Sequence, residues 1–336
     1  MQPLAESRPR RVPILPALTM VIAGVVVALL CAEVVLRTAG FSFRTFPTVQ
    51  FGYPTPVLIR DLFVADRDLF WVTRDYPATL AQARQTHPAI VFMGDSCTQF
   101  GSYPTLTLTR LGAHAPTLAT GVKLGVVGWS SEQGLAQLRR DVLPLRPRVI
   151  TVYYGWNDHW VALGAPDADA RPNAAVWWLS QHSRVWQLVS KARQAAAVRP
   201  EGRPNRVDVH RYESNLEAMV RLAAEHGTRT VLITAPSGHQ RGHEPAYLAL
   251  RHVRRLDEVV PLHQEYVAAT RSAAQTSGAV LCDAAAAFDR DPSRATYFER
   301  DGIHLTFAGN RALADLLTPC ILRAVSADTA QSRWNR

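Results

Sequence analysis

The chain has 336 residues, of which 47% are hydrophobic and 19% are charged, and its formal net charge is +9. This length and composition predict one globular domain with additional segments, and they exclude collagen-like and low-complexity classes. Arginine supplies nearly all of the positive charge, but the arginines are scattered and form no basic stripe, so we expect no nucleic-acid partner. An anionic polymer or a membrane surface suits this charge better.

The N-terminal region carries a membrane signal. Residues 12–32 contain no charge, and this length just spans a hydrocarbon core of ~30 Å. A cleaved signal peptide has a shorter apolar region, of ~7–15 residues, and needs small residues before its cleavage site, where this chain has Leu29 and Leu30. The bulky Leu30 also counts against a lipoprotein signal at Cys31. We therefore expect an uncleaved transmembrane anchor over residues 12–33.

The charges around the apolar segment indicate its orientation. Three arginines lie within residues 1–11, whereas Arg37 and Arg44 follow the segment and weaken the signal. The cluster before the anchor predicts that residues 1–11 stay in the cytoplasm. We expect a single-pass protein of the cytoplasmic membrane, with the body of the chain on the periplasmic or extracellular side.

The remaining chain divides by pattern. Residues 34–86 form a lead-in segment with no long periodicity, residues 87–325 form the main domain, and residues 326–336 form a tail. Within the main domain, short apolar runs at 89–94, 121–128, 148–155, 228–236 and 279–284 alternate with helical patterns at 103–114, 130–145, 212–227, 261–278 and 306–325. Such alternation predicts a parallel sheet with helices on both faces. Residues 160–207 interrupt it, and we expect this insertion to form a lid or a substrate wall.

The four cysteines show neither a CxxC motif nor a metal-ligand spacing, so we expect no metal and no cofactor. Cys282 and Cys320 could pair in an exported domain. Buried free thiols are the alternative, and we favour it.

Polar residues follow the predicted strands directly, where the ligand crevice of a parallel sheet lies. Ser96 follows the first strand, Gly128 ends the second and Asn157 follows the third. A serine nucleophile needs a base, an acid that orients the base, and donors for the oxyanion. Asp301 and His304 are three residues apart, so in a turn that leads into a helix they lie on one face. The carboxylate can then fix the histidine tautomer and leave Nε2 free as the base.

Three groups are candidate donors to the oxyanion. They are the N–H of Ser96, the N–H of Gly128 and the side-chain amide of Asn157. Gly128 has no Cβ, which allows close approach of its backbone. The uncharged amide of Asn157 donates without competing for the proton.

Taken in order, GDS (94–96), Gly128, GWND (155–158) and DGIH (301–304) resemble the SGNH, or GDSL-type, hydrolase family. The resemblance covers roughly residues 88–320. It implies a three-layer α/β/α sandwich with a central parallel sheet, related to flavodoxin-like sheets, and it implies ester-bond chemistry.

The resemblance also assigns roles to single residues. It implies that Ser96 is the nucleophile, that Gly128 and Asn157 donate to the oxyanion together with Ser96, and that His304 is the base oriented by Asp301. Two observations qualify this assignment. The usual Leu or Ile after GDS is Cys97 in this chain, and Asp283 at the end of the fifth strand is an alternative orienting acid.

Five further residues near the strand ends are candidates for lining the pocket. They are Asp95, Trp129, Trp156, His159 and His239. The two tryptophans could stack on sugar rings, and ordinary core packing is the alternative. Asp95 and Asp158 are more typical of structural turn residues than of catalysts.

Three functions agree with these patterns. The favoured one is an anchored serine esterase that removes an acyl group, with O-acetyl on a carbohydrate or cell-envelope polymer as the expected substrate. The second is an O-acetyltransferase that moves the acyl group onto a glycan with the same residues. The third is a non-catalytic glycan-binding or assembly protein, and the complete residue set argues against it. The oligomeric state does not follow from the sequence.

Overall fold

The structure is a computed structural model that describes residues 14–43, 62–162, 165–196 and 202–334. The chain forms two compact units. One comprises residues 1–45 and 173–196, and the other comprises residues 46–172 and 197–336.

The elements are numbered in chain order. The helices are α1 (Ile14–Thr38), α2 (Tyr76–Thr86), α3 (Ser96–Phe100), α4 (Tyr103–His114), α5 (Ser131–Gln137), α6 (Ala174–His182), α7 (Arg184–Ala196), α8 (Val209–Glu225), α9 (Leu248–Arg251), α10 (Val259–Ser277), α11 (Ala284–Arg290) and α12 (Phe307–Trp334). The strands are β1 (Phe63–Asp66), β2 (Phe70–Thr73), β3 (Ile90–Gly94), β4 (Gly121–Lys123), β5 (Val149–Tyr153), β6 (Arg229–Ile233) and β7 (Val280–Cys282). A π-helical segment spans Leu138–Val142, and 3₁₀ turns lie at Pro116–Leu118, Leu143–Leu145, Leu256–Glu258 and Arg294–Thr296.

Five parallel strands form the central sheet in the order β4-β3-β5-β6-β7. Alternate residues of each strand enter different cores, as the two-residue period of a strand requires. On β3, Val91 and Met93 join a core built with α5, α8 and α10, whereas Ile90 and Phe92 join a core built with α4, α11 and α12. Helices therefore cover both faces, which confirms the predicted three-layer α/β/α sandwich.

The second predicted strand, 121–128, is shorter than its sequence pattern indicates. Regular pairing ends at Lys123, although the N–H groups of Leu124 and Val126 still donate to carbonyls of β3. Gly125 lies so close to α3 that a Cβ there would stand 2.6 Å from Thr98 Cβ. The apolar residues beyond β4 thus form a buried loop that turns toward the end of β3.

The lead-in segment contains regular structure that its sequence did not indicate. β1 and β2 form an antiparallel hairpin, and α2 follows directly. Strands of four residues are too short to show a period. Trp71 in β2 is fully buried in the main core, and its indole N–H donates to Val127 O at 3.0 Å.

The insertion divides between the two units. Its ends pair with one another in the sheet unit, where Ala162 N–H donates to Pro204 O and Arg206 N–H donates to Trp160 O. Its middle part, residues 173–196, forms α6 and α7 and belongs to the unit of α1. A role as a lid or substrate wall remains a prediction.

Within the first unit, α7 begins against a carboxylate of α1. Glu33 accepts hydrogen bonds from the backbone N–H groups of Arg184 and Val185 at 2.9 and 3.0 Å, and from Ser183 Oγ at 3.1 Å. Arg37, one turn further along α1, forms an ion pair with Glu33 at 2.7 Å. Glu33 therefore caps the first two N–H groups of α7, whereas Ser183 Oγ accepts the third, from Trp186, at 3.1 Å.

All four cysteines lie in the described part of the chain. Cys97, Cys282 and Cys320 are buried free thiols, and Cys31 is an exposed one on α1.

Candidate active site

Ser96 lies at the junction of β3 and α3. Gly94 ends the strand, and a Cβ on it would stand 2.7 Å from Tyr153 O, so this turn requires glycine. Asp95 caps α3, because its Oδ1 accepts the N–H of Cys97 at 2.9 Å. Ser96 is then the first residue of the helix, and its own N–H lies among those that have no acceptor within the helix. The sequence-predicted nucleophile is thus held at a helix N-terminus at the carboxyl edge of the sheet.

Between Val126 and Ser131, the loop after β4 leaves one backbone donor without an acceptor. From Val126 to Ser131, every backbone N–H except that of Gly128 donates to an acceptor. The acceptors are Gly94 O, Gln99 Oε1, Val126 O, Gln133 Oε1 and Asp158 Oδ1. Gly128 has a positive φ of 78°, and its N–H has no acceptor among the described residues. Such a donor is available to a ligand.

Asn157 follows β5 and contacts the Asp95 side chain. Its amide Nδ2 donates to Asp95 Oδ2 at 2.9 Å, which uses one of the two amide hydrogens. Burial raises the pKa of Asp95 to about 6, although hydrogen bonds from Cys97 and Asn157 and the nearby His304 oppose this rise. Asp95 therefore joins the end of β5 to the end of β3 and orients the amide of Asn157.

Asp158 holds the loop that follows β4 and contains Gly128. It is fully buried, and its two carboxylate oxygens accept the N–H groups of Ser131 and Gly155 at 2.8 and 3.1 Å. Burial raises its pKa to about 7. Asp158 thus joins the loops after β4 and β5 through their backbone N–H groups.

Asp301 and His304 form the predicted pair. Asp301 Oδ2 lies 2.5 Å from His304 Nδ1, and its Oδ1 accepts the backbone N–H groups of Ile303 and His304, each at 2.9 Å. His304 Nδ1 is therefore the donor, and Nε2 is the ring nitrogen that can take a proton. Nε2 is buried and has no hydrogen-bond partner among the described residues. The alternative acid, Asp283, instead caps α11 and pairs with Arg271.

Electrostatics favours a basic His304. Burial lowers the pKa of this histidine, but the hydrogen bond and the charge of Asp301, together with the charges of Asp95 and Glu299, outweigh burial and leave the pKa above its ordinary value. Conversely, burial raises the pKa of Asp301, whereas its hydrogen bonds from His304 and the backbone outweigh this and lower it overall.

Direct contacts bring the separate segments together around α3. Cys97 Sγ lies 3.8 Å from Ile303 O, and the rings of Phe100 and His304 lie 6.0 Å apart. On the other side, Gln99 Oε1 accepts the N–H of Val127 at 2.6 Å. The helix that begins with Ser96 thus touches the histidine loop and the Gly128 loop, while its cap Asp95 contacts Asn157.

The aromatic candidates for the pocket are interior residues. Trp129 is fully buried and donates to Trp71 O at 2.9 Å, and Trp156 is 2% exposed and stacks on His263 at 3.9 Å. Rings so buried have no face to offer a sugar, so the packing alternative describes both tryptophans better. His159 is also fully buried, and burial lowers its pKa.

His239 contacts the turn that carries Asp301 and His304. Its Nε2 is 2.7 Å from the backbone oxygen of Asp301, and its ring would meet a Cβ on Gly302 at 2.6 Å. Gly302 has a positive φ of 70°. This contact supports the turn that carries Asp301 and His304.

Sequence reasoning missed a buried group beneath the Gly128 loop. Arg206 donates to Gly128 O at 2.7 Å and forms an ion pair with Asp167, and both side chains are fully buried. Arg206 is 78 residues away from Gly128 in the chain, and neither Arg206 nor Asp167 belongs to a motif. Only the burial of their side chains distinguishes Arg206 and Asp167 from other charged residues, and the sequence does not show burial.

Comparisons with known proteins show which family the chain resembles. The model of the GDSL-like lipase/acylhydrolase family matches residues 92–312. No curated protein sequence matches the chain. Similar solved structures include a lipase/acylhydrolase from Enterococcus faecalis (18% identity, 69% of this chain and 94% of that chain, TM-score 0.46) and a GDSL-like lipase from Bacteroides thetaiotaomicron (16%, 76% and 98%, TM-score 0.44). Another is an acetylxylan esterase from Geobacillus stearothermophilus (17%, 70% and 93%, TM-score 0.43).

The family match includes the strand ends, the serine and the Asp301–His304 turn. It spans well over half of the chain. The chain therefore belongs to the GDSL-like lipase/acylhydrolase family and is a hydrolase of ester bonds.

Proposed function

We propose that this chain is a serine esterase in which Ser96, His304 and Asp301 form the catalytic triad. The observation that carries the proposal is how the two ring nitrogens of His304 are hydrogen-bonded. Its Nδ1 is held by Asp301, while its Nε2 is buried without a partner among the described residues. A buried acceptor of this kind is costly unless a donor reaches it, and the hydroxyl of a serine is such a donor.

The reaction would proceed in two steps through an acyl-enzyme. His304 Nε2 takes the proton of Ser96 Oγ as the oxygen attacks the ester carbonyl, and the protonated imidazole then gives that proton to the leaving alcohol. Water next attacks the acyl-enzyme, with His304 as base again, and releases the acid and free Ser96. Asp301 stabilises the imidazolium throughout.

Three donors would stabilise the negative oxygen of each tetrahedral intermediate. They are the N–H of Ser96, the N–H of Gly128 and the second amide hydrogen of Asn157. Support comes from the unused N–H of Gly128 and from Asp95, which holds the Asn157 amide by its other hydrogen. Donors fixed before the reaction stabilise a developing charge without reorganisation.

The substrate class that we propose is an O-acyl, in particular O-acetyl, ester of a carbohydrate or cell-envelope polymer. The positive net charge of the chain and its candidate anchor support a polymer near a membrane surface. The same triad would serve an O-acetyltransferase if a glycan hydroxyl replaced water in the second step.

Ser96→Ala is expected to abolish turnover, because loss of the nucleophile in such a triad lowers kcat by about 10⁶-fold. The assay would supply an activated acetyl ester, with and without oligosaccharide acceptors, and identify products by mass spectrometry. Free acetate alone supports the esterase, and acetylated sugar supports the transferase. Ser326→Ala on the distant part of α12 is a matched control. A Ser96→Ala protein with a tenth of the wild-type rate would exclude Ser96 as the nucleophile.

Asn157→Ala is expected to lower kcat by ~10²–10³-fold with a smaller change in KM. The reason is that the amide binds the oxyanion of the transition state more strongly than the carbonyl of the bound ester. Steady-state kinetics on the same ester measures both constants. A change confined to KM would instead make Asn157 a residue that binds the substrate.

The pH dependence of kcat/KM is expected to follow the ionisation of His304. Because its pKa is raised, activity should be lost as the pH falls through a midpoint above ~6.5, the ordinary value for histidine. Asp301→Asn should slow the reaction and move this midpoint to lower pH, since the amide removes the charge that favours the imidazolium. Asp257→Asn, at an exposed carboxylate, is the control. An unchanged midpoint in Asp301→Asn would separate Asp301 from the base.

We further propose that α1 is an uncleaved single-pass anchor that holds the enzyme on the exported face of the cytoplasmic membrane. The helix is long and apolar enough to cross a membrane, and its apolar stretch is not buried by other parts of the described chain. The bonds from Glu33 to the start of α7 also support retention, because a mature chain beginning near residue 32 or later would leave this cap at a free terminus or remove it.

Carbonate washing is expected to leave the full chain in the membrane fraction, and N-terminal sequencing is expected to find residues upstream of Arg37. The physical reason is the cost of moving the apolar face of α1 into water. A mature N-terminus near Ala32 would overturn the anchor and indicate a processed signal.

A further inference from the structure

We propose that Trp71 and Arg206 are positioning residues that hold the two peptide groups on either side of Gly128, so that its N–H faces the reacting oxygen. The inference rests on the proposed serine mechanism and deepens it. Both residues lie outside the recognised motifs, and Trp71 lies outside the region that matches the family.

The first contact sets the direction of the proposed donor itself. The N–H of Gly128 belongs to the same peptide group as the carbonyl of Val127. In a planar trans peptide the two point in opposite directions. The indole Nε1 of Trp71 donates to Val127 O at 3.0 Å in a buried environment. Fixing that oxygen therefore fixes the direction of the Gly128 N–H.

The second contact sets the following peptide group. Arg206 Nη1 donates to Gly128 O at 2.7 Å. The positive φ of Gly128 is a conformation that a glycine can leave readily, because it has no side chain to restrict it. Bonds to the carbonyls before and after Gly128 together remove that freedom.

Arg206 is itself held in one orientation. Its Nε and Nη2 donate to the carboxylate of Asp167 at distances of 2.7–3.2 Å, and Ser130 Oγ donates to the same carboxylate at 2.7 Å. The backbone reinforces the pair, since Asp167 N–H donates to Arg206 O at 2.8 Å. The guanidinium is planar, and its Nε and Nη2 are both bonded to Asp167. Its remaining nitrogen, Nη1, is therefore fixed in a single direction.

Trp71 and Arg206 also contact each other. The guanidinium carbon of Arg206 lies 5.9 Å from the centre of the Trp71 ring, within the range of a cation–π interaction. In addition, Trp129 Nε1 donates to Trp71 O at 2.9 Å, which ties β2 to the residue after Gly128. The two positioning residues, from the lead-in hairpin and from the end of the insertion, thus form one buried assembly under the loop.

The test compares Trp71→Phe and Arg206→Lys in the full chain. Trp71→Phe keeps an aromatic ring and removes the indole N–H, whereas Arg206→Lys keeps the charge and removes the fork. Each is expected to lower kcat by roughly 10- to 100-fold with KM changed less than about two-fold, because a small displacement of a catalytic donor affects the transition state most. Arg84→Lys, at an exposed position of α2 outside the insertion and the site, is the matched control and should leave both constants unchanged.

A second measurement separates positioning from a loss of folded protein. Affinity for a boronic acid, which forms a tetrahedral adduct with a serine, should fall in parallel with kcat. The melting temperature and the KM report on folding and on ground-state binding. Variants that melt early but keep wild-type kcat and boronate affinity below their melting point would overturn the inference.

The outcomes also distinguish this inference from the proposed function. If Ser96→Ala is inactive and Trp71→Phe and Arg206→Lys retain full kcat, the mechanism stands and the positioning role is wrong. If Ser96→Ala remains active, the mechanism and the positioning role both fail.

Discussion

The carboxylate of Asp95 is the interaction on which the candidate site most depends. One oxygen accepts the N–H of Cys97 and begins α3, and the other accepts the amide of Asn157. A single buried side chain thereby sets the position of Ser96 on its helix and the direction of an amide from a neighbouring strand. Burial makes the charged form of Asp95 costly, and its pKa is therefore raised to about 6. The site is therefore built around an acid that takes no part in the proposed proton transfers.

The sequence predicted those features of the site that depend on local rules. Strand ends in a parallel sheet meet at one edge, and a spacing of three residues places Asp301 beside His304. Those rules need only a few consecutive residues, and the observed 2.5 Å contact between Asp301 and His304 agrees with them. The position of Ser96 after β3 follows from the same reasoning.

Other features depend on contacts between distant residues. Trp71 lies 56 residues from Val127, and Arg206 lies 78 residues from Gly128. A four-residue strand such as β2 is too short to show a period in its sequence. An isolated arginine or tryptophan outside a motif carries no sequence signal that distinguishes it from the other arginines or tryptophans of the chain. For the same reason the sequence indicates Trp129 and Trp156 as pocket candidates, whereas their burial places them in the interior. The distinction between a ring that faces a crevice and one that packs behind it is a property of the tertiary fold.

The cap that Glu33 provides has a consequence for any released form of this protein. A protease that removed α1 with its last turns would also take away the acceptor of the first N–H groups of α7. Those groups would then need water or another acceptor, and the start of the inserted helix would lose part of its stabilisation. A soluble fragment obtained by shedding would thus differ from the full chain in the folding of its insertion as well as in its location. Truncation at the end of the apolar stretch is consequently a poor way to prepare this enzyme, and a boundary upstream of Glu33 preserves the cap.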